Sequence, residues 1–322
     1  MKAIQFVAPR QIRLIDDLPM PQPDEGEVLV RSTHLGLCGG NVGPYTGSGQ
    51  GAGIDWPAPL GWQGHECLGV IVESRNPDWP VGTRVLAQDK RGNGFVEYFV
   101  AKNLSLNRLP PEREDVGPLL LAQPLATVLR ALASTGPVIG QTCAVVGQGP
   151  IGLMFTYMLN RFGAQTVIAA DPVPWRLDWA RRLGAQTVID TTQCDLVEAV
   201  RDLTGGKGVD FCIEAAHLGP ALIDAARLPR HQGRLCVFGV SYQQLDPFPW
   251  NYTTNNETEF VITRGIGWMD YAQMCIDRLD GDWAELTALV TPILPWERAA
   301  EAFELYAYPA EHEGSLKVVL AL

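Results

Sequence analysis

Four side chains on three separate segments carry what a metal-assisted reaction needs: Cys38 in GLCGG, His65 and Glu66 in GHE, and Gln123 in LAQPLA. A thiolate and an imidazole together suit zinc, and a carboxylate or amide oxygen can complete a tetrahedron. Taken alone, scattered residues of these types read more readily as packing, because a single Cys or His is usually a core residue. A second kind of chemistry is written between Thr142 and Asp171. There the apolar run TCAVV is followed at once by Gly147, Gly149 and Gly152 in G-x-G-x-x-G spacing. The first glycine permits a tight turn, the second lets a pyrophosphate approach the backbone, and the third lets helix and strand pack closely. Pro150 and Ile151 would open the helix whose N-terminal N–H groups face that phosphate. Asp171 ends the next apolar run, where a carboxylate accepts hydrogen bonds from an adenosine ribose and repels a 2′-phosphate. NAD is therefore expected over NADP, with Arg176 five residues on covering the adenosine side and keeping dual use open.

The elements that must position these residues follow from periodicity. Ile151, Met154, Phe155, Met158, Leu159 and Phe162 recur on one helical face. Further on, strands are expected at 187–190, 209–214 and 234–240 and helices from Pro174, near 195–203 and near 219–227, an alternation that predicts an α/β, doubly wound parallel sheet. The run FVITRGIG at 260–267 reads as the last strand, an edge open to pairing with a second subunit. Val240, closing RLCVFGV, is a further cofactor-binding candidate. Before residue 127 the chain instead shows β-branched runs at 27–33, 67–74, 83–88 and 94–101 broken by Gly and Pro, a small all-β module. The stretch 39–63 predicts a long functional loop. The expected division is 1–126, 127–266 and 267–322, the last returning to the first module.

Size and composition agree with two domains: 322 residues, 46% hydrophobic and 19% charged. A net charge of −11 without clustered Lys and Arg argues against a nucleic-acid partner. No apolar run is long enough to span a membrane, and MKAIQFVAPRQ has no signal-peptide pattern, so a cytoplasmic protein acting on a small molecule is expected. Seven cysteines without a C-x-x-C pair do not suggest a disulfide framework.

The order of these motifs, a β-rich module, GHE, VVGQGPIGL and then EAFELYAYPAEHEGSLKVVL, resembles the medium-chain, zinc-type alcohol dehydrogenase family over essentially the whole chain. The resemblance implies a GroES-like catalytic domain, a Rossmann domain and an active site in a cleft between them, in a homodimer or homotetramer. It also implies a catalytic zinc at Cys38, His65, Glu66 and Gln123, and Lys317 on the pyrophosphate. The chain departs from the family's Cys-Gly-Thr/Ser-Asp-x-His pattern: Gly40 and Gly43 replace the hydroxyl and imidazole of the proton relay. No structural zinc is expected, because Val85 to Phe95 holds no cysteine. LAQPLA is similar to the glucose dehydrogenase branch, which implies a sugar or polyol substrate met by Glu97; otherwise Glu97 is a solvated strand residue. Trp56, Trp62 and Trp268 wall a substrate cleft or fill the core, and His217 reads as the start of a loop, with an approach to the cofactor as the alternative. Two other functions stay open, a metal-free reductase of an activated double bond or imine and an inactive NAD-binding protein.

Overall fold

The computed structural model describes residues 1–48, 53–239, 247–263 and 267–322. In chain order the elements are β1 (Ala3–Ala8), β2 (Gln11–Ile15), β3 (Glu27–Gly36), α1 (Gly39–Thr46), β4 (Cys67–Ser74), β5 (Arg84–Ala87), β6 (Tyr98–Lys102) and β7 (Leu106–Arg108). Then come α2 (Ala122–Thr135), β8 (Thr142–Val146), α3 (Pro150–Arg161), β9 (Thr166–Asp171), α4 (Pro174–Arg182), β10 (Thr187–Asp190), α5 (Leu196–Leu203) and β11 (Val209–Glu214). The chain closes with α6 (Gly219–Ala225), β12 (Pro229–Val237), α7 (Trp250–Asn255), β13 (Glu259–Ile262), α8 (Met269–Leu279), β14 (Val290–Pro295), α9 (Ala299–Ala307) and β15 (Lys317–Ala321). Two compact units result, one of Met1–Ala126 with Met269–Leu322 and one of Thr127–Trp268.

The first unit is built on a sheet of order β14-β15-β3-β4-β5-β7, with β6 also on β3 and with β1 and β2 as a separate hairpin. The last strand of the chain lies antiparallel to β3, pairing Leu320 with Leu35. That pairing carries Lys317 to the end of β3, where Cys38 follows. Below the sheet, Phe303 of α9 meets Phe6 edge-on at 5.1 Å and Phe95 at 5.5 Å, an aromatic arrangement that favours edge-to-face contact. Trp56 and Trp62 pack against this same core, and Trp268 of the other unit is buried.

The stretch 39–63, expected as a loop, begins instead as α1. Its sequence GGNVGPYT has poor helix propensity, so packing must stabilise it. Tyr45 is buried between Phe6 and Phe303 and donates its hydroxyl to Glu304 Oε1 at 2.6 Å, and Asn41 Oδ1 caps the N-terminus by accepting the Cys38 N–H at 2.8 Å. The strand expected at 94–101 starts only at Tyr98, because Phe95, Val96 and Glu97 turn to bond residues of the 2–4 segment and Gly61.

The second unit is a six-stranded, all-parallel sheet of order β10-β9-β8-β11-β12-β13. From β8 the chain steps outward through β9 and β10, then returns to β11 on the other side of β8. The loops after β8 and β11 therefore diverge, opening the crevice in which such sheets bind ligands. In register, Val146 pairs with both Ala170 and Glu214, and Glu214 with Val237, so the loops after β8, β9, β11 and β12 leave at one edge. The strand expected at 234–240 runs from Pro229 to Val237, and Val240 lies outside the described residues. So do 264–266 of the expected last strand, described here as Glu259–Ile262.

Candidate active site

Cys38 caps α1, while His65 and Glu66 sit just before and at the entry to β4. Their Sγ, ring nitrogen and carboxylate oxygen all lie within 4.8 Å of one another. His65 Nδ1 is 2.8 Å from the Gln63 carbonyl oxygen, which orients the ring and leaves Nε2 for a ligand. Asn41 ties the two segments together, accepting from Cys38 N and donating from Nδ2 to the same Gln63 carbonyl at 3.2 Å. Asn41 and Gln63 were not singled out from sequence; the Cys38-x-x-Asn41 spacing of a capping box was the available signal. Burial raises the Cys38 thiol, but the charge of His65 and its ring hydrogen bond outweigh that and bring it below its ordinary value. Burial likewise lowers His65, and the Cys38 charge reverses this and pushes the imidazole up to about 9. A thiolate facing a cationic ring is a site in which a metal ion can replace the proton.

Glu66 is 1% exposed. Lys317 Nζ, itself 2% exposed, forms an ion pair with Glu66 Oε2 and donates a hydrogen bond to the Leu37 carbonyl oxygen at 2.7 Å. The ion pair meets Oε2 outside hydrogen-bonding angles, and among the described residues neither buried Glu66 oxygen has a hydrogen-bond donor. A carboxylate with unspent lone pairs beside a thiolate and an imidazole fits a bound cation. Gly36 makes room for it, since a Cβ there would overlap Glu66 Oε2 and Leu120. Cys67, the next residue, faces Gly94 across the strand, and burial pushes its thiol up. Gln123 is buried in the first turn of α2. Glu97 is not part of this group: Oε2 accepts the Lys2 N–H at 2.9 Å.

In the second unit Gly147 takes φ +93°, and a Cβ on Gly152 would overlap the Gly147 carbonyl oxygen, so both positions require glycine. Gly149 caps α3 and Pro150 and Ile151 begin it, leaving first-turn N–H groups without intrahelical acceptors. Gln148, fully buried, locks the turn from below through Val145 and Thr156. Asp171 supports it from β9: Oδ2 accepts from Gln148 N at 2.6 Å and Oδ1 from Val173 N at 2.9 Å. Burial pushes the Asp171 carboxyl up, against the pull of Arg176 and the two N–H groups. Arg176 Nη1 stands 3.9 Å from Asp171 Oδ2 and as close to where a Gly149 Cβ would be, with a buried Nε that has no hydrogen-bond partner among the described residues.

Comparison with known proteins agrees with both halves of this geometry. Residues 150–280 match the family model described as zinc-binding dehydrogenase. The chain is 29% identical over 289 residues to a sorbitol dehydrogenase of Bacillus subtilis (strain 168), covering 80% of each chain. It is 26% identical over 339 residues to a D-arabitol-phosphate dehydrogenase of Enterococcus avium, covering 94% of each. In fold it resembles an alcohol dehydrogenase from Thermus sp. ATN1, with a TM-score of 0.86 and 24% identity over all of both chains. With a parallel sheet opened by a glycine turn and a β-rich unit holding a thiol, an imidazole and a carboxylate together, the chain is similar in sequence and fold to the medium-chain, zinc-type alcohol dehydrogenases.

Proposed function

We propose that this enzyme is an NAD-dependent polyol dehydrogenase that transfers hydride between nicotinamide and a secondary alcohol or its carbonyl, with one zinc ion per chain. The observation that carries this reading is the convergence of Cys38, His65 and Glu66, with Glu66 Oε1 buried and lacking a hydrogen-bond donor among the described residues. Cys38, His65 and Glu66 would hold the metal, and Gln123 would complete the set directly or through water. When bound, zinc supplies the Lewis acidity that lowers an alcohol's pKa, and the nicotinamide supplies the hydride acceptor. The chain's own part is positional. Asn41 and the Gln63 carbonyl fix the spacing and ring orientation of two ligands, and Lys317 balances the charge of the third. The glycine turn and the α3 N-terminus receive the pyrophosphate, and Asp171 accepts from the adenosine ribose while holding the turn. Glu97 is expected to meet the substrate hydroxyls, while Lys317, expected from sequence on the pyrophosphate, is buried and spent on Glu66 and the Leu37 carbonyl oxygen.

A polyol is favoured because relatives covering most of the chain are named for sorbitol and arabitol phosphate. NAD is favoured by Asp171, and a homo-oligomer by the open edge of β13. No helix among the described residues is long and apolar enough to cross a membrane. The deciding experiment measures zinc content and NAD reduction on a polyol panel for the native chain and Cys38→Ser. Native protein should carry one zinc and turn over a polyol. Cys38→Ser should lose both, by more than the roughly 10–100-fold that loss of an outer partner costs. Polyol turnover undiminished in zinc-free protein would overturn the reading.

A further inference from the structure

One cavity holds no residue of the metal group or of the glycine turn. It has a volume of about 430 Å³ and lies in the first unit, between the loop after β5, the end of β6 and the start of α8. Hydrogen bonds fix its walls. After β5, Asp89 Oδ2 accepts from Arg91 N at 2.8 Å and from Asn93 N at 3.0 Å, and Gly92 takes φ +74°, so the turn sets Arg91 at its tip. After β6, Ser105 Oγ stands 3.1 Å from the Gln88 carbonyl oxygen and 2.9 Å from that of Lys102, which joins the two segments. Lys90, Arg91 and Lys102 line the cavity, with the Asp89 carboxylate as its one acidic group. That carboxylate is committed to backbone N–H groups, and Lys90 Nζ is engaged by Glu27 Oε2 at 2.7 Å and Asp24 Oδ2 at 3.5 Å. The side chains of Arg91 and Lys102 make no hydrogen bond or ion pair among the described residues. Leu104 and Met269, both exposed, supply the apolar part of the lining.

Three cations against one committed carboxylate reverse the sign of a chain whose net charge is −11, and a concavity of one sign concentrates ions of the other. A single surface Lys or Arg is ordinarily solvated and needs no ligand. Here an unpaired guanidinium and an unpaired ammonium share one concavity, and the planar fork of Arg91 matches two phosphate oxygens. A bare inorganic ion would leave Leu104 and Met269 in water, whereas an organic body bonded to the phosphate would cover them. A cavity of this volume suits a small molecule. We propose that it binds a small phosphomonoester, the phosphate on Arg91 and Lys102 and the organic body against Leu104 and Met269.

Calorimetric titrations of the full chain with inorganic phosphate and with phenyl phosphate test this, NADH being present to cover the glycine turn. Native protein should bind phenyl phosphate about fivefold more tightly than inorganic phosphate, the gain from covering the apolar pair. Arg91→Ala and Lys102→Ala should each weaken both probes about twofold to fivefold, and the double variant about tenfold. Leu104→Ser should bring phenyl phosphate down toward inorganic phosphate and leave the latter unchanged. Lys207→Ala, which removes an exposed cation from the other unit, should change neither. No binding of either probe by native protein, or equal binding by native protein and the Arg91 and Lys102 double variant, would overturn the proposal. So would a loss in Lys207→Ala as large as in Arg91→Ala, since net charge alone would then explain it. Equal affinity of native protein for the two probes, unchanged in Leu104→Ser, would make inorganic phosphate the occupant and overturn the phosphomonoester.

Discussion

Lys317 and Glu66 pose the sharpest question at the scale of single residues. A buried ion pair adds little by itself, but removing one partner strands the other charge. Lys317→Met should therefore destabilise the metal-free protein by about 3–5 kcal/mol, and by less once zinc is loaded, because the cation takes over the role of the ammonium. Denaturant melts with and without zinc check this; equal losses in both states would mean that Glu66 does not approach the metal. Gln123 offers a complementary experiment. Its neutral amide keeps the site less negative than a second carboxylate would, so Gln123→Glu should retain zinc but lower polyol turnover by on the order of tenfold. Faster turnover at unchanged zinc content would argue instead for an eroded alcohol site. At the other unit, the guanidinium of Arg176 beside the glycine turn is the group that would meet a 2′-phosphate. Arg176→Ala should accordingly weaken NADP more than NAD, as read by nucleotide titration.

At the scale of elements, α1 shows how packing supplies what local propensity lacks. Its glycines and Pro44 argue against a helix, yet Tyr45 and Asn41 anchor both ends of it. The Tyr45 hydroxyl shares Glu304 with Arg10, which donates through Nε at 3.1 Å and Nη2 at 3.0 Å. The hydrogen bond from Arg10 is the main reason that the Glu304 carboxyl lies below its ordinary 4.5, with the Tyr45 hydroxyl adding to it. A group whose folded pKa is depressed contributes stability above its unfolded pKa and loses it as pH falls through the folded value. Tyr45→Phe should thus cost about 1 kcal/mol near neutral pH, and the difference from the native chain should shrink as pH drops below 4.5. Urea melts across that range test it. Because α1 carries Cys38 at its cap, the same variant should also weaken zinc retention.

At the scale of the whole molecule, the outer edge of β13 pairs with no strand among the described residues. Ile262 is 77% exposed there, and Trp250 is 61% exposed with its ring 6.1 Å from that of Phe260. An open, apolar edge of this kind is a template for another strand, and a second copy of the chain would bury it. On the proposed homo-oligomer, Ile262→Lys should give smaller species than the native chain in sedimentation; a native chain that is already monomeric would rule the edge out as an interface.

The alternation of short apolar runs and amphipathic helices was enough to announce a doubly wound sheet with a glycine turn, because burial periodicity and turn chemistry are local properties of the chain. TCAVV and VDFCIE emerge as β8 and β11, and the helix after the glycines runs from Pro150 to Arg161. Cys38, His65 and Glu66 were legible as residue types, but types do not say whether side chains 27 residues apart will meet. Their convergence depends on β15, from the far end of the chain, pairing with β3, and on Asn41 bridging two segments. The partner of Lys317 and the helix at 39–46 were likewise decided by tertiary contacts. Each is stabilised by groups distant in sequence, the helix against its local preference, and such contacts leave no periodic trace in the chain.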